Sequence, residues 1–229
     1  MGGRLRILTG NLANGAADPQ AFADLVRSYR ADVVAVQELV PEQAEALAEV
    51  MPYGVLEPAR DFLGMGIALA RPGSLDRLPL GYRDAHIARL DPAGWPDLPR
   101  PIEIVNVHLI SPVVWPLWGS LARRRVQLRA LLRYLEESPE RTCALIGDFN
   151  ATPLWPVYRR IAARLEDVAL AHARRRGGWP PRTWPSWPRG PRLLRIDHCF
   201  ARGLSAEDLR VVPIPGSDHD AVIVDLTVS

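Results

Sequence analysis

The chain has 229 residues, of which 48% are hydrophobic and 24% charged, with a formal net charge of +2. This size allows one large α/β domain, residues 1–229, or at most two small ones. No apolar run is long enough to span a bilayer, and residues 1–6 lack the apolar core of a signal peptide. We therefore expect a cytoplasmic protein as the chain is given, although a domain of a membrane-anchored parent would have the same sequence.

Apolar periodicity predicts strands and helices that alternate in the first half of the chain. Continuous apolar runs predict strands, and spacings of three and four predict helices. The predicted strands are 6–11, 32–38, 65–70, 85–90 and 102–109, and the helices are 19–29 and 41–50. A proline-rich loop covers 91–101.

The second half begins with the segment ISPVVWPLWGS, whose internal prolines exclude a regular helix. A helix follows at 121–135, then a strand at 143–147, a helix after Pro153 and a loop at 174–192. The remaining strands are 194–201, 209–212 and 221–228. Helices alternate with strands early and strands pair late, which indicates one mixed α/β domain.

Arginine is concentrated in the middle of the chain, and the whole sequence contains no lysine. Residues 120–200 carry 16 arginines against 7 acids, a balance of +9, whereas residues 1–119 carry 10 arginines against 14 acids. Such a region can bind a polyanion by releasing counterions. It can equally be a solvated helix face combined with a compositional bias, and both interpretations stay open.

Polar residues stand where the predicted apolar strands end. Taken singly, each has an ordinary explanation as a turn residue, a helix cap or a buried histidine. Together they supply carboxylates, amides and imidazoles but no recurring nucleophile. Hard oxygen ligands suit Mg²⁺ or Mn²⁺, and imidazole suits acid/base work on water. These residues are Asn11, Glu38, His108, Asp148, Asn150, Asp197, His198, Asp218 and His219.

Two well-known catalytic motifs are missing from the sequence. It contains no GxxxxGK[ST] loop, which disfavours a P-loop nucleotide hydrolase, and no GxSxG elbow, which argues against a serine hydrolase.

Six short motifs occur in an order that resembles the endonuclease/exonuclease/phosphatase superfamily, which has the deoxyribonuclease-I-like fold. The resemblance covers residues 5–228 and implies a four-layer α/β/β/α sandwich of two mixed sheets with helices outside. It also implies metal-dependent cleavage of phosphate esters. Thr183-Trp184-Pro185 further resembles a bacterial branch whose members often follow N-terminal membrane segments. The motifs are Gly10-Asn11, Gln37-Glu38, Asn106-Val107-His108-Leu109, the run from Gly147 to Pro153, Arg195-Ile196-Asp197-His198 and Ser217-Asp218-His219.

The resemblance implies a divalent cation, Mg²⁺ or Mn²⁺, bound by Glu38. Asn11 and Asp218 would lie in or near its shell.

The same resemblance implies the catalytic roles. His219 would be the general base that activates water, oriented by Asp197. Asp148 and Asn150 would position the nucleophile and the phosphate, and His108 would stabilise the phosphate or the leaving oxygen. Residue type alone leaves open whether Asp148 or His219 takes the proton.

Three residues are candidates for substrate binding: Trp115, Arg123 and Trp184. The tryptophan-bearing loop after His108 could stack bases, dip into a bilayer interface, or pack against a second loop as a satellite core. That second loop contains Trp179, Trp184 and Trp187.

Our first hypothesis for function is a metal-dependent phosphodiesterase that acts on DNA or RNA. The alternative is the same chemistry on a phospholipid, sphingomyelin or phosphoinositide, with the tryptophan loop at the membrane surface. A weaker alternative is a scaffold without catalysis. No obligate protein partner is implied, and Asp220 is expected to be a solvated turn acid.

Overall fold

The computed structural model describes residues 3–186 and 191–228, so Trp187 lies outside the described part. The strands are β1 (Arg4–Asn11), β2 (Val33–Gln37), β3 (Tyr53–Glu57), β4 (Met65–Leu69), β5 (Ser74–Leu78), β6 (Ala85–Leu90), β7 (Ile102–His108), β8 (Cys143–Asp148), β9 (Glu166–Asp167), β10 (Asp197–Arg202), β11 (Leu204–Pro213) and β12 (Asp220–Val228). The α-helices are α1 (Pro19–Tyr29), α2 (Pro41–Ala48), α3 (Leu117–Glu137), α4 (Pro156–Ala162) and α5 (Val168–Arg175).

The strands form two mixed sheets of six strands each. The first has the order β11-β12-β1-β2-β4-β3, and the second has the order β5-β6-β7-β8-β10-β9. Each sheet contains one parallel pair, β1 with β2 and β7 with β8. The other pairs are antiparallel.

Three apolar clusters hold the layers together. The first lies between the two sheets and includes Ile7 and Ile146. The second packs Phe22 of α1 against the first sheet, and the third packs Leu131 of α3 against the second sheet. The expected four-layer α/β/β/α sandwich is therefore confirmed. One helix departs from the outer layers, because Val168 of α5 joins the cluster between the sheets.

The sheet topology brings polar residues from distant parts of the chain to one edge. Because β1 and β2 are parallel, as are β7 and β8, each pair ends on the same side. The antiparallel strands β10 and β12 begin at that edge, with Asp197 opposite Asp148 and His219 directly before β12. The four parallel strands end at Asn11, Gln37, His108 and Asp148.

A buried polar bridge joins the two sheets below this edge. The Gln37 side-chain amide donates to Asn106 Oδ1 at 2.7 Å. The Asn106 amide in turn donates to the carbonyls of Val36 and Gly66 at 3.0 and 2.8 Å. Buried amides need such partners, so this bridge fixes the spacing of the sheets where the polar strand ends meet.

Several elements differ from the sequence-based prediction. The edge strands β3 and β5 were not predicted, because they are largely exposed and carry no apolar run. Helix α5 was also missed; Asp167 caps it by accepting from Leu170 N–H at 2.9 Å. Helix α3 begins at Leu117, four residues earlier than predicted, since Pro116 directly precedes the helix and interrupts no turn.

Candidate active site

Asn11 links two carboxylates from different sheets. Its side-chain amide lies 3.1 Å from both Glu38 Oε1 and Asp148 Oδ2. Its own oxygen accepts from Ala13 N–H at 2.9 Å. Burial raises the pKa of Glu38 above its ordinary value, although the hydrogen bond from Asn11 opposes this. Asn11 therefore acts here as a donor that keeps two acids close together.

Asp197 and His219 form the central ion pair. His219 Nδ1 lies 3.1 and 3.0 Å from the two carboxylate oxygens of Asp197, and both residues are buried. Burial disfavours the imidazolium, but the charge of Asp197 and its hydrogen bond outweigh that cost and raise the pKa of His219 to about 10. His219 is therefore a cation at neutral pH.

Asp148 ends β8 and is held by the turn that follows it. Its Oδ1 accepts from Asn150 N–H at 2.7 Å, and its Oδ2 accepts from the Asn150 side chain at 3.0 Å. Burial first, and then the nearby charge of Asp197, raise the pKa of Asp148 to about 7. Asp148 is consequently close to half-ionised at neutral pH, unlike an ordinary aspartate.

The backbone at this edge adopts conformations that few side chains favour. Glu38 and Asn150 have φ of 56° and 47°, in the left-handed region. Gly147 has φ of 135°, and a Cβ there would lie 2.1 Å from the carbonyl oxygen of Val107 on β7. Only glycine fits so close to the neighbouring strand, which lets Asp148 reach the sheet edge.

His108 faces the same acids from the end of β7. Its Nε2 lies 3.6 Å from Asp148 Oδ2 and 3.8 Å from Glu38 Oε1. Burial, reinforced by the positive charges of Arg83 and His219, holds the pKa of His108 well below its usual range. His108 is therefore neutral, and its Nδ1 is buried without a hydrogen-bond partner among the described residues.

The donor set fits a hard divalent cation. Three carboxyl groups come together here, the buried Asp148 and Asp197 and the half-buried Glu38, and negative charge in such a place is costly without a counter-charge. Oxygen or nitrogen atoms of Asp148, Asp197 and His219 all lie within 4.8 Å of one another. Because His219 carries a proton and pairs with Asp197, its imidazole is poorly suited to bind a cation, whereas the carboxylates have the oxygen donors that a hard cation prefers.

The remaining predicted metal residue, Asp218, is positioned by Trp184. The indole Nε1–H of Trp184 donates to Asp218 Oδ2 at 3.0 Å, and the ring centroid lies 6.4 Å from that of His219. The negative charge of Asp218 is felt at both Glu38 and His219. Trp184 thus orients an acid of the site.

The other two predicted substrate-binding residues lie on the surface beside the site. Trp115 is exposed in the loop before α3. Arg123 is exposed on α3, and its guanidinium lies 4.8 Å from the ring centroid of Tyr82. Neither makes a described contact with the acids, so their roles stay predictions.

Arg83 is a site residue that the sequence did not reveal. It donates to the carbonyl of Phe62 at 2.6 Å, and its buried Nε has no hydrogen-bond partner among the described residues. Burial lowers the pKa of Arg83, while the charges of Glu38 and Asp148 oppose that change. It lies on a loop without periodicity, so no pattern in the sequence marked it.

Arg124 is a second such residue, and it is buried on α3. It donates to the carbonyl of Ile110, just after His108, and to the carbonyl of Phe149 at 3.3 Å, between Asp148 and Asn150. Burial lowers the pKa of Arg124 to about 10, which leaves it charged at neutral pH. It therefore ties together the two loops that carry the site. The sequence indicated only an arginine-rich region that could be a solvated helix face, so the burial of Arg124 was not predicted.

His198 stabilises the turn that follows Asp148. Its Nε2 donates to the carbonyl of Ala151 at 2.7 Å, and its Nδ1 accepts from Arg195 at 3.1 Å. Burial and then the positive charge of Arg195 lower the pKa of His198 to about 4, so the ring is neutral. Arg195 also pairs with the buried Asp167 at 2.7 Å.

One expectation about a surrounding residue, Asp220, is wrong. Asp220 is fully buried and is bonded to Arg192 and Ser186. Arg192 supplies the counter-charge, and because it lies 28 residues away in the sequence, no local pattern indicates this pairing. The two tryptophan loops form no satellite core within the described residues, since Trp115 and Trp179 are 76% and 94% exposed.

Comparison with known proteins identifies the family. The model of the Endonuclease/Exonuclease/phosphatase family matches residues 8–219. No curated protein matches the chain in sequence. Among the described residues, no helix combines the length and the apolar character that crossing a membrane requires.

Several solved structures share the fold. A conserved protein of unknown function from Enterococcus faecalis V583 is 17% identical, with a TM-score of 0.77 over 98% of this chain and 100% of that one. Humanized D. rerio TDP2 with 14 mutations is 20% identical, with a TM-score of 0.75 over 97% and 98%. D. rerio TDP2 complexed with a single-strand DNA product is 17% identical, with a TM-score of 0.71 over 97% and 98%. The chain belongs to the endonuclease/exonuclease/phosphatase family and is a phosphoric ester hydrolase of that family.

Proposed function

We propose that the protein is a divalent-metal-dependent phosphodiesterase that hydrolyses nucleic acid. One observation carries the chemistry: Glu38, Asp148, Asp197 and His219 meet at one sheet edge and are linked by hydrogen bonds through Asn11 and between Asp197 and His219. A binding scaffold needs no such concentration of acids and imidazole, among which Glu38, Asp148 and His219 have raised pKa values. This argues against the scaffold hypothesis.

The charge states support a division of labour between Asp148 and His219. A general base must be unprotonated before the reaction, and Asp148, with a pKa of about 7, meets that condition near neutrality. His219 is already protonated, so it suits the role of a cation that offsets charge on the phosphate. We assign the proton of the attacking water to Asp148, and Asp197 keeps His219 charged. In this proposal Asp148, and not His219, takes the proton, a choice that residue type alone left open.

Glu38 and Asp218, with Asn11 nearby, would hold the divalent cation. When bound, the cation supplies charge neutralisation and polarises the phosphate ester. Asn150 and Arg83 lie at the same edge, and the guanidinium of Arg83, whose Nε has no hydrogen-bond partner among the described residues, would offset charge on a phosphate oxygen.

Two observations support nucleic acid as the substrate. Arg123, a predicted substrate-binding residue on α3, is exposed and supplies positive charge of the kind that binds a phosphate backbone. One structural neighbour was solved with a single-strand DNA product, although it shares only the fold. The second candidate is a lipid phosphodiester, and the exposed tryptophans at 115 and 118 favour it.

A substrate panel tests the proposal. The wild type, His219→Ala and Asp148→Asn are incubated with plasmid DNA, RNA, sphingomyelin vesicles and soluble bis(p-nitrophenyl) phosphate, each with Mg²⁺ and with chelator. We expect Mg²⁺-dependent cleavage by the wild type only, with losses of about 10²–10⁴-fold in both variants. Circular dichroism confirms that the variants fold. Cleavage of vesicles without cleavage of plasmid or RNA would reverse the order of the two substrates.

A further inference from the structure

The surface beside the site carries an exposed apolar lip, which we define as residues 113–118 with Leu121. Trp115 and Trp118 are 76% and 70% exposed, although exposed tryptophan is costly in water. The lip begins five residues after His108. Its other exposed apolar members are Val113, Val114, Leu117 and Leu121.

The lip continues into a row of positive charge on the same helix. Residues 118, 121, 125, 129 and 133 of α3 are spaced by three or four, so they share one face. All five are exposed to solvent. The solvent face of α3 therefore begins with Trp118 and Leu121 and continues with Arg125, Arg129 and Arg133.

We propose that this face docks on an anionic lipid bilayer, with the lip in the interface and the three arginines against lipid phosphates. Tryptophan and leucine beside arginine are the side chains that interfacial helices use, and anionic lipids supply the complementary charge. The docking is independent of which ester the enzyme cleaves.

The composition of the lip favours a bilayer over single-stranded nucleic acid. Stacking of bases needs open aromatic faces. Here the ring centroids of Trp115 and Trp118 are 5.6 Å apart with planes at 63°, so the edge of one ring covers a face of the other and the two rings present no pair of parallel faces for successive bases. Val113, Leu117 and Leu121 have no π face on which a base could stack, but each gains free energy in an apolar interface in proportion to the apolar area that it buries.

Vesicle sedimentation tests the docking. The intact protein, with chelator present to prevent turnover, is mixed with vesicles of phosphatidylcholine alone or of equal parts phosphatidylcholine and phosphatidylglycerol. We expect binding to the anionic vesicles that weakens as salt increases. The double variant Trp115→Ser/Trp118→Ser should bind roughly tenfold more weakly or worse. The variant Arg125→Gln/Arg129→Gln/Arg133→Gln should lose about fivefold for each arginine.

The matched control is Trp179→Ser, which removes a 94% exposed tryptophan outside the lip and should leave vesicle binding unchanged. Thermal unfolding checks that each variant folds. Absence of wild-type binding to anionic vesicles overturns the proposal, as does equal loss in the Trp179 variant. If vesicle binding is absent and the proposal is thereby overturned, lip-dependent binding of a thymidine oligonucleotide or lip-dependent dimerisation in sedimentation velocity would show that the lip binds nucleic acid or a second copy of the chain instead. Because no turnover is measured, these outcomes are separate from failure of the proposed hydrolysis.

Discussion

Replacing Arg124 by methionine tests whether this buried side chain holds the active site together. Methionine keeps the apolar length of the stem but leaves the carbonyls of Ile110 and Phe149 without their donor. Each unsatisfied buried acceptor costs about 1–3 kcal/mol. Part of this loss is offset, because the folded variant no longer has to keep a charged guanidinium away from water. We therefore expect the free energy of unfolding to fall by about 3 kcal/mol.

The catalytic effect of Arg124→Met should exceed what stability explains. The two carbonyls belong to the loops that carry His108 and Asn150, and a displacement of about 1 Å at such groups costs about 10²-fold in rate. We expect kcat on bis(p-nitrophenyl) phosphate with Mg²⁺ to fall by that factor, with a smaller change in KM, under conditions where urea unfolding shows the variant folded. Arg124→Lys should lie between the variant and the wild type.

Arg159→Met is the matched control, because Arg159 is an exposed arginine on α4 and its loss should change neither quantity. A variant at position 124 that loses stability but keeps the wild-type kcat would refute the positioning role. So would a loss in kcat that Arg159→Met reproduces.

Three further predictions concern protons and the metal. Asp197→Asn removes the carboxylate that holds His219 protonated. Because the charged imidazole is the active form and is lost above its pKa, the alkaline limb of the kcat/KM profile should move to lower pH. Movement of the acid limb instead would indicate that His219 is the base. The pKa of His198 is lowered from 6.5 to about 4, so its contribution of about 3 kcal/mol to the free energy of unfolding is complete above pH 6.5 and is lost as the pH falls toward 4. Urea unfolding across that range should show a shallower decline of this free energy with falling pH for His198→Gln than for the wild type. Parallel curves would contradict the prediction. Trp184→Phe removes the donor to Asp218, so the Mg²⁺ concentration for half-maximal activity should rise by about 10–100-fold, and an unchanged value would exclude Asp218 from the metal shell.

Much of the site could be predicted because its residues follow apolar strand runs, which are visible locally. Asn11, Glu38, His108 and Asp148 stand at such ends, and the sheets bring them together as expected. Asp197 begins β10 and His219 directly precedes β12, and both were found by their motifs.

The missed features depend on partners far away in the chain. Arg124 has the same local spacing as its exposed neighbours, and only the position of α3 against two loops makes it a buried donor. Asp220 is buried because Arg192 reaches it across 28 residues. The edge strands β3 and β5 escaped because a partly exposed strand needs no apolar run.

The pairing of β1 with β12 joins the first strand of this domain to its last. Asn11 ends one of these strands, and His219 precedes the other. The first sheet, which carries both residues, is therefore complete only after β12 has been synthesised. Fragments that stop short of β12 lack the strand that pairs with β1, so we expect them to show no hydrolysis of a phosphate ester.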